Sequence, residues 1–304
     1  STPWFIADKE DTNYCVYVDT DSNYYNAEPL LRHLYPNFDE MGEEERDEKL
    51  EQIALKYQDL ITNSYDNLAL EAFNIKSHRF DMKTECMIRV GYFRATRRYA
   101  QWITKKEGVK TDDLDIKGLE FMKANFPKIF SDFFKDVLQR VIKGAPQKEI
   151  DDMLKVFREK VLSPDMDLTI LGNPTRVNTL DKYIASKPKS GTMFSVIAQG
   201  APAPVKAAIK YNDLLTFWGL DKQHSKITQG DKVKWIYLKD NPYKIEALAF
   251  LDFDIPEKIR TLLSQYADTN KSFETILESK LQGFYNDLGW DLNLNPYRNL
   301  IFSF

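Results

Sequence analysis

The chain has 304 residues, is 43% hydrophobic and 29% charged, and carries a formal net charge of −4. That balance excludes a disordered segment and suits a globular protein long enough for two domains. No run of about 18 apolar residues is present to span a membrane, and His33, His78 and His224 stand far from Cys15 and Cys86, so no zinc pattern forms.

The amino end, Ser1 to Asp8, has neither the basic start nor the apolar core of a signal peptide. Tyr14 to Tyr25 then reads as strand, tight turn, strand. Its flanks are aromatic and β-branched, and its centre, Asp19-Thr20-Asp21-Ser22-Asn23, is rich in turn formers. Residues two apart on an extended chain share a side, so Asp19 and Asp21 are placed to face one divalent cation. The plainer reading is a solvated hairpin tip closed by Asx-type hydrogen bonds. A calcium loop matches poorly, because Tyr24 and Leu30 stand where glycine and glutamate are required.

Ala27 to Tyr35 is expected to be a short helix begun by Asn26, and Glu44 to Ala72 a long one. In the latter Leu50, Ile53, Ala54, Tyr57, Leu60 and Ile61 recur at helical intervals. The acidic run from Glu40 to Glu48 reads as the solvated start of that helix, where negative charge suits the dipole. Asp81 to Thr104 has strand character, Lys105 to Gly108 is a turn, and Asp115 to Leu119 leads out of the sheet. Cys15 and Cys86 lie in strand-like surroundings and read as free thiols. Strands with flanking helices give an α+β region.

The remainder is expected to be mainly helical. Pro127 opens a helix whose apolar stripe, from Ile129 to Ile142, ends at Gly144. Lys148 to Leu162 repeats the pattern. Leu168 to Pro204 reads as irregular, and Val205 to Trp218 as a helix. Lys232 to Leu238 and Ile245 to Phe253 read as strands joined at Asn241-Pro242. Ile255 to Ala267 and Lys271 to Leu288 read as closing helices.

Net charge conceals an uneven distribution. Residues 76–143 hold sixteen Lys or Arg against nine Asp or Glu, whereas residues 37–52 hold eight acidic against two basic. A basic middle is the electrostatic footprint expected of a nucleic-acid binder.

Five segments, in order, carry a family resemblance. Tyr17-Val18-Asp19-Thr20-Asp21-Ser22 matches the YxDTDS signature of family B DNA polymerases, with Tyr24 a frequent aromatic two positions on. Arg97-Arg98-Tyr99-Ala100 resembles their K-[KR]-Y-A element. Lys117-Gly118-Leu119-Glu120, with Pro127 beyond it, resembles KGLE…P. Val205 to Asn212 resembles a thumb element, and Gly230 to Leu238 a late thumb strand. In spacing and C-terminus the chain is most similar to the replicative polymerases of T-even-like bacteriophages.

That resemblance implies an α+β fold: the C-terminal part of a palm, an antiparallel sheet with flanking helices, over residues 1–122, then a mainly helical thumb over 123–295. Residues 296–304 would form a tail. It implies a DNA-directed DNA polymerase using two Mg2+ ions, with Asp21 the direct metal ligand and Asp19 beside it. Arg97, Arg98, Tyr99, Lys117, Lys206, Lys210 and Tyr211 would contact DNA. Tyr17, Thr20, Ser22 and Glu120 would support the site. Arg97 departs from the usual Lys, and a planar fork is not a neutral exchange for an ammonium.

The family's other metal-binding Asp element and its fingers helix do not occur in this sequence. The expected partner is therefore a separate N-terminal polymerase half, sharing both Mg2+ ions and pairing through Trp4 to Ala7 and Tyr14 to Asn26, with primer-template DNA and dNTP as further ligands. In the C-terminal tail, Leu300, Phe302 and Phe304 resemble sliding-clamp anchors; a terminal strand packed on the thumb is the plainer alternative. The implied setting is the cytoplasm of an infected host cell. The alternative function is a non-catalytic DNA-binding and clamp-tethering subunit with a vestigial metal site.

Overall fold

The computed structural model describes residues 14–19, 22–76, 78–189 and 192–292. The expectations for Thr20, Asp21, the strand at Trp4 to Ala7, and Leu300, Phe302 and Phe304 fall outside those residues. The chain is a mixed α+β protein with antiparallel sheets and flanking helices, divided into two compact units, Ser1–Leu119 and Glu120–Phe304. No helix among the described residues is long and apolar enough to cross a membrane.

In the first unit, β1 (Cys15–Asp19) and β2 (Ser22–Tyr25) form an antiparallel hairpin in which Tyr17 faces Tyr24 and Asp19 faces Ser22. Helix α1 (Glu28–Leu34) follows, and Asn26 Oδ1 accepts the Glu28 N–H at its start. Helix α2 (Glu43–Phe73) runs for 31 residues and ends on Asn74 in the left-handed region. Leu30, Leu31, Phe38, Met41 and Ile53 make a small core with Leu50 and Tyr57 packed on it. The expected α2 stripe holds only in part. Leu60 is exposed, as are Leu55, Leu68 and Leu70.

Strands β3 (Cys86–Ala95), β4 (Arg98–Lys106) and β5 (Val109–Lys117) form a three-stranded antiparallel meander. Glu107 and Gly108, both with positive φ (48° and 82°), make the tight turn between β4 and β5. Such a turn follows the right-handed twist of its strands. The stretch expected to lead out of the sheet is thus its third strand.

The acidic run before and within α2 is also more than a solvated helix start. Arg89 on β3 reaches Glu43 at 2.5 Å and Asp47 at 2.6 Å. Lys105 on β4 pairs with Glu51, and Lys110 on β5 lies 3.4 Å from Glu44. Opposite charges brought together by the fold neutralise one end of the basic sheet.

In the second unit, α3 (Lys128–Ile142) and α4 (Gln147–Leu162) start after Pro127 and Pro146, where a residue without an N–H costs nothing. Phe133 and Phe157 stack face to face at 3.9 Å between them. The stretch expected to be irregular contains α5 (Leu168–Leu171) and three short strands: β6 (Asn173–Arg176), β7 (Ile184–Ser186) and β8 (Val196–Ile197). Helix α6 (Ala203–Phe217) buries Val205, Ala207, Ala208, Ile209, Tyr211, Leu214 and Leu215, and is the central helix of this unit. It packs on the sheet β10-β9-β6, built with β9 (Lys232–Tyr237) and β10 (Ala247–Phe250). Helix α7 (Glu257–Tyr266) follows. A last helical run comprises α8 (Thr269–Ser272), a π-helical segment (Phe273–Glu278) and α9 (Ser279–Asp287).

Candidate functional site

Two hairpins from distant parts of the sequence meet through their aromatic rings. Tyr17 and Tyr24 are cross-strand partners on β1 and β2, and Phe93 and Tyr99 are cross-strand partners on β3 and β4. All four rings lie within 5.4 to 6.0 Å of one another, centroid to centroid. Ring pairs of this kind contribute beyond their buried area, at about 0.5–1.5 kcal/mol each. Burial and a hydrogen bond with Tyr99 push the Tyr24 phenol well above its ordinary range. Phe93 was not singled out by the sequence. Its signal was its place opposite Tyr99 on an aromatic strand.

The cluster positions a charged pair at the hairpin tips. The Arg97 guanidinium donates from Nε to Asp19 Oδ2 at 3.1 Å and from Nη2 to Asp19 Oδ1 at 3.3 Å. The Tyr17 hydroxyl accepts the Arg97 backbone N–H at 2.9 Å and donates to Asp19 Oδ2 at 3.4 Å. Ser22 Oγ donates to the Asp19 carbonyl at 3.1 Å. The Asp19 carboxylate holds the Arg97 guanidinium above its ordinary pKa.

Arg97 sits in the β3–β4 turn with φ +59°, a left-handed backbone that side chains other than glycine and asparagine rarely take. Gly118 explains how it is held. A Cβ at that position would stand 1.8 Å from the Arg97 carbonyl oxygen. Gly118 itself has φ +64°, so its lack of a side chain serves both its own backbone and that close approach. In this element roles were expected for Lys117 and Glu120 but none for Gly118, whose signal was a glycine between strand and turn.

The Lys117 ammonium stands 5.8 Å from the centre of the Tyr99 ring and 3.6 Å from Asp115, and the Tyr99 hydroxyl and Asp115 carboxylate raise its pKa. Asp115 in turn accepts from the buried Gln101. Arg98 is exposed beside the turn. Glu120 belongs to the second unit, where Lys280 pairs with it at 2.5 Å.

The thumb-like residues take different positions. Lys206 is exposed on α6. Lys210 is half-buried with its ammonium 4.3 Å from the centre of the Phe194 ring, and desolvation lowers its pKa. Tyr211 is fully buried, and its hydroxyl lies 3.3 Å from the Ser225 carbonyl and 3.5 Å from that of Asp254. A nucleic-acid strand does not reach that side chain while α6 stays packed.

Magnesium needs several oxygen ligands. Among the described residues no group of three or more His, Cys, Asp or Glu side chains is arranged to hold a metal. The Asp19 carboxylate has both oxygens turned to a guanidinium. These residues alone do not fit a magnesium site, and Asp21 lies outside them. Neither Cys15 nor Cys86 is in a disulfide.

No protein-family model matches this chain, and no curated protein matches it.

Proposed function

We propose that this chain carries the last part of the palm and the thumb of a DNA-directed DNA polymerase, acting with a complementary polypeptide. The observation that supports this most is convergence. Three of the five polymerase-like segments touch one another in the fold. The segment with Arg97 and Tyr99 pairs strand to strand with that of Lys117 and Gly118. The segment with Tyr17 and Asp19, with 78 positions between Asp19 and Arg97, docks on the first. The β4–β5 hairpin accounts for one of those contacts, but nothing local brings Tyr17 and Asp19 to Arg97.

In this reading the described residues bind and position rather than react. The aromatic cluster fixes the hairpin tip, Arg97 and the neighbouring exposed Arg98 face the primer backbone, and the exposed Lys206 contributes to the grip on the duplex. A metal would come to the tip only through Asp21 and a carboxylate of the complementary polypeptide. Primer extension by this chain reconstituted with that polypeptide tests the reading. Asp21→Ala should slow extension by at least about a thousandfold, since metal stabilisation of developing charge is worth several kcal/mol. Extension at the wild-type rate ends the catalytic reading.

A second reading is favoured by the guanidinium on Asp19: a non-catalytic DNA-binding and clamp-tethering subunit. It predicts DNA binding by the chain and no dependence of the partner's extension rate on Asp21.

A further inference from the structure

Arg97 combines a clamped backbone with an exposed side chain. Its N–H is held by the Tyr17 hydroxyl, and its carbonyl is pressed against Gly118. Its side chain, by contrast, is 74% exposed, against 29% for Asp19. The guanidinium can therefore swing about its own side-chain torsions without disturbing the turn.

The surroundings favour an anion other than Asp19. From Cys86 to Lys106 the sequence contains no acidic residue. At one end of the sheet Arg89, Lys105 and Lys110 are neutralised by α2. At the other, Arg94, Arg97 and Arg98 are exposed around the turn. A planar fork that fits a carboxylate with two parallel hydrogen bonds fits a phosphate equally well.

We propose that Arg97 is a phosphate ligand held in reserve: its guanidinium either closes on Asp19 or opens onto a phosphodiester, and the two states exclude each other. The assignment rests on the nucleic-acid reading above and adds a regulatory element to it. Because the closed state removes part of the population from binding, Asp19 lowers the chain's apparent affinity for nucleic acid through Arg97. By reciprocity, bound phosphate draws the guanidinium away from the Asp19 carboxylate.

A double-mutant cycle decides it, using the full chain, a fluorescein-labelled primer-template oligonucleotide, low salt and a chelator to exclude divalent cations. Asp19→Asn should tighten binding about three- to fivefold where Arg97 is present, in line with release of an exposed forked pair. In an Arg97→Gln background the same substitution should change binding by less than about twofold, the limit of ordinary additivity. An equal gain in both backgrounds means simple relief of charge repulsion and overturns the proposal. So does the absence of any gain, or of binding by every variant. Thermal melts check folding, and Asp19→Ser replaces Asp19→Asn if the latter melts early. Coupling without primer extension by the reconstituted enzyme leaves the arginine assignment standing and removes the polymerase reading. Additive behaviour with Asp21-dependent extension does the reverse.

Discussion

The carbonyl oxygen of Arg97 lies directly over the α-carbon of Gly118, with room for a hydrogen and for nothing larger. Gly118→Ala should therefore destabilise the first unit by more than about 2 kcal/mol, combining a left-handed alanine with a backbone collision. Gly108→Ala is the control. Gly108 also has positive φ, but nothing lies within 4 Å of its added Cβ. It should cost about 1 kcal/mol, from the backbone alone. Urea unfolding of both variants checks the difference.

Tyr17→Phe keeps the ring and removes the hydroxyl that serves both Arg97 and Asp19. The aromatic cluster should persist, with a loss of about 1 kcal/mol for the missing hydroxyl. Amide exchange at Arg97 should quicken, because its N–H loses its protein acceptor. Unchanged exchange would refute the bond.

Arg89 bridges Glu43 and Asp47 while its guanidinium carbon stands 4.8 Å from the centre of the Trp102 ring. Arg89→Ala should cost about 1–2 kcal/mol, from lost stacking and two half-exposed pairs. Part of that cost should disappear in high salt, which screens the exposed carboxylates but not the stacking. Denaturation at two ionic strengths measures it.

Asp254 accepts the Ser225 N–H at 2.6 Å and lies 2.6 Å from His224 Nδ1. Those hydrogen bonds, the Ser225 N–H foremost, hold its carboxyl below its ordinary value of 3.8. A lowered folded pKa means that its stabilisation is fully present above 3.8 and is lost as the pH falls through the folded value. Asp254→Asn should remove that part of the acid dependence of the second unit, leaving a shallower fall of stability below pH 4. Melts across the acid range, wild type against variant, test the sign.

Much of the helical architecture was legible. The stripes of α3, α4 and α6 recur so strongly that their ends fall within two residues of the periodicity. Strand β5 was not, because Lys110, Asp112, Asp113 and Asp115 hide its alternation and few of its side chains are buried. Strand β6 was masked by Pro174, which is tolerated there because β6 is an edge of its sheet. At the site, Asp19 and Arg97 each stood out in the sequence, but not as a pair. Seventy-eight positions separate them, and nothing in an Arg-Arg dipeptide announces a left-handed turn. The basic count of residues 76–143 overstated the charge offered to DNA, since three of its cations are matched by α2.

The π-helical segment from Phe273 to Glu278 sets the phase of everything after it. A π turn holds about one residue more than an α turn, and one residue rotates a helix face by about 100°. Leu281, Phe284 and Tyr285 point inward on α9 because the wider turn absorbs that extra residue instead of passing on the rotation. Deleting one of the π segment's exposed residues, Glu274 or Thr275, would let the turn tighten to an α turn and leave those three side chains facing the interior. A deletion within α9 itself would instead rotate the side chains beyond it by about 100°.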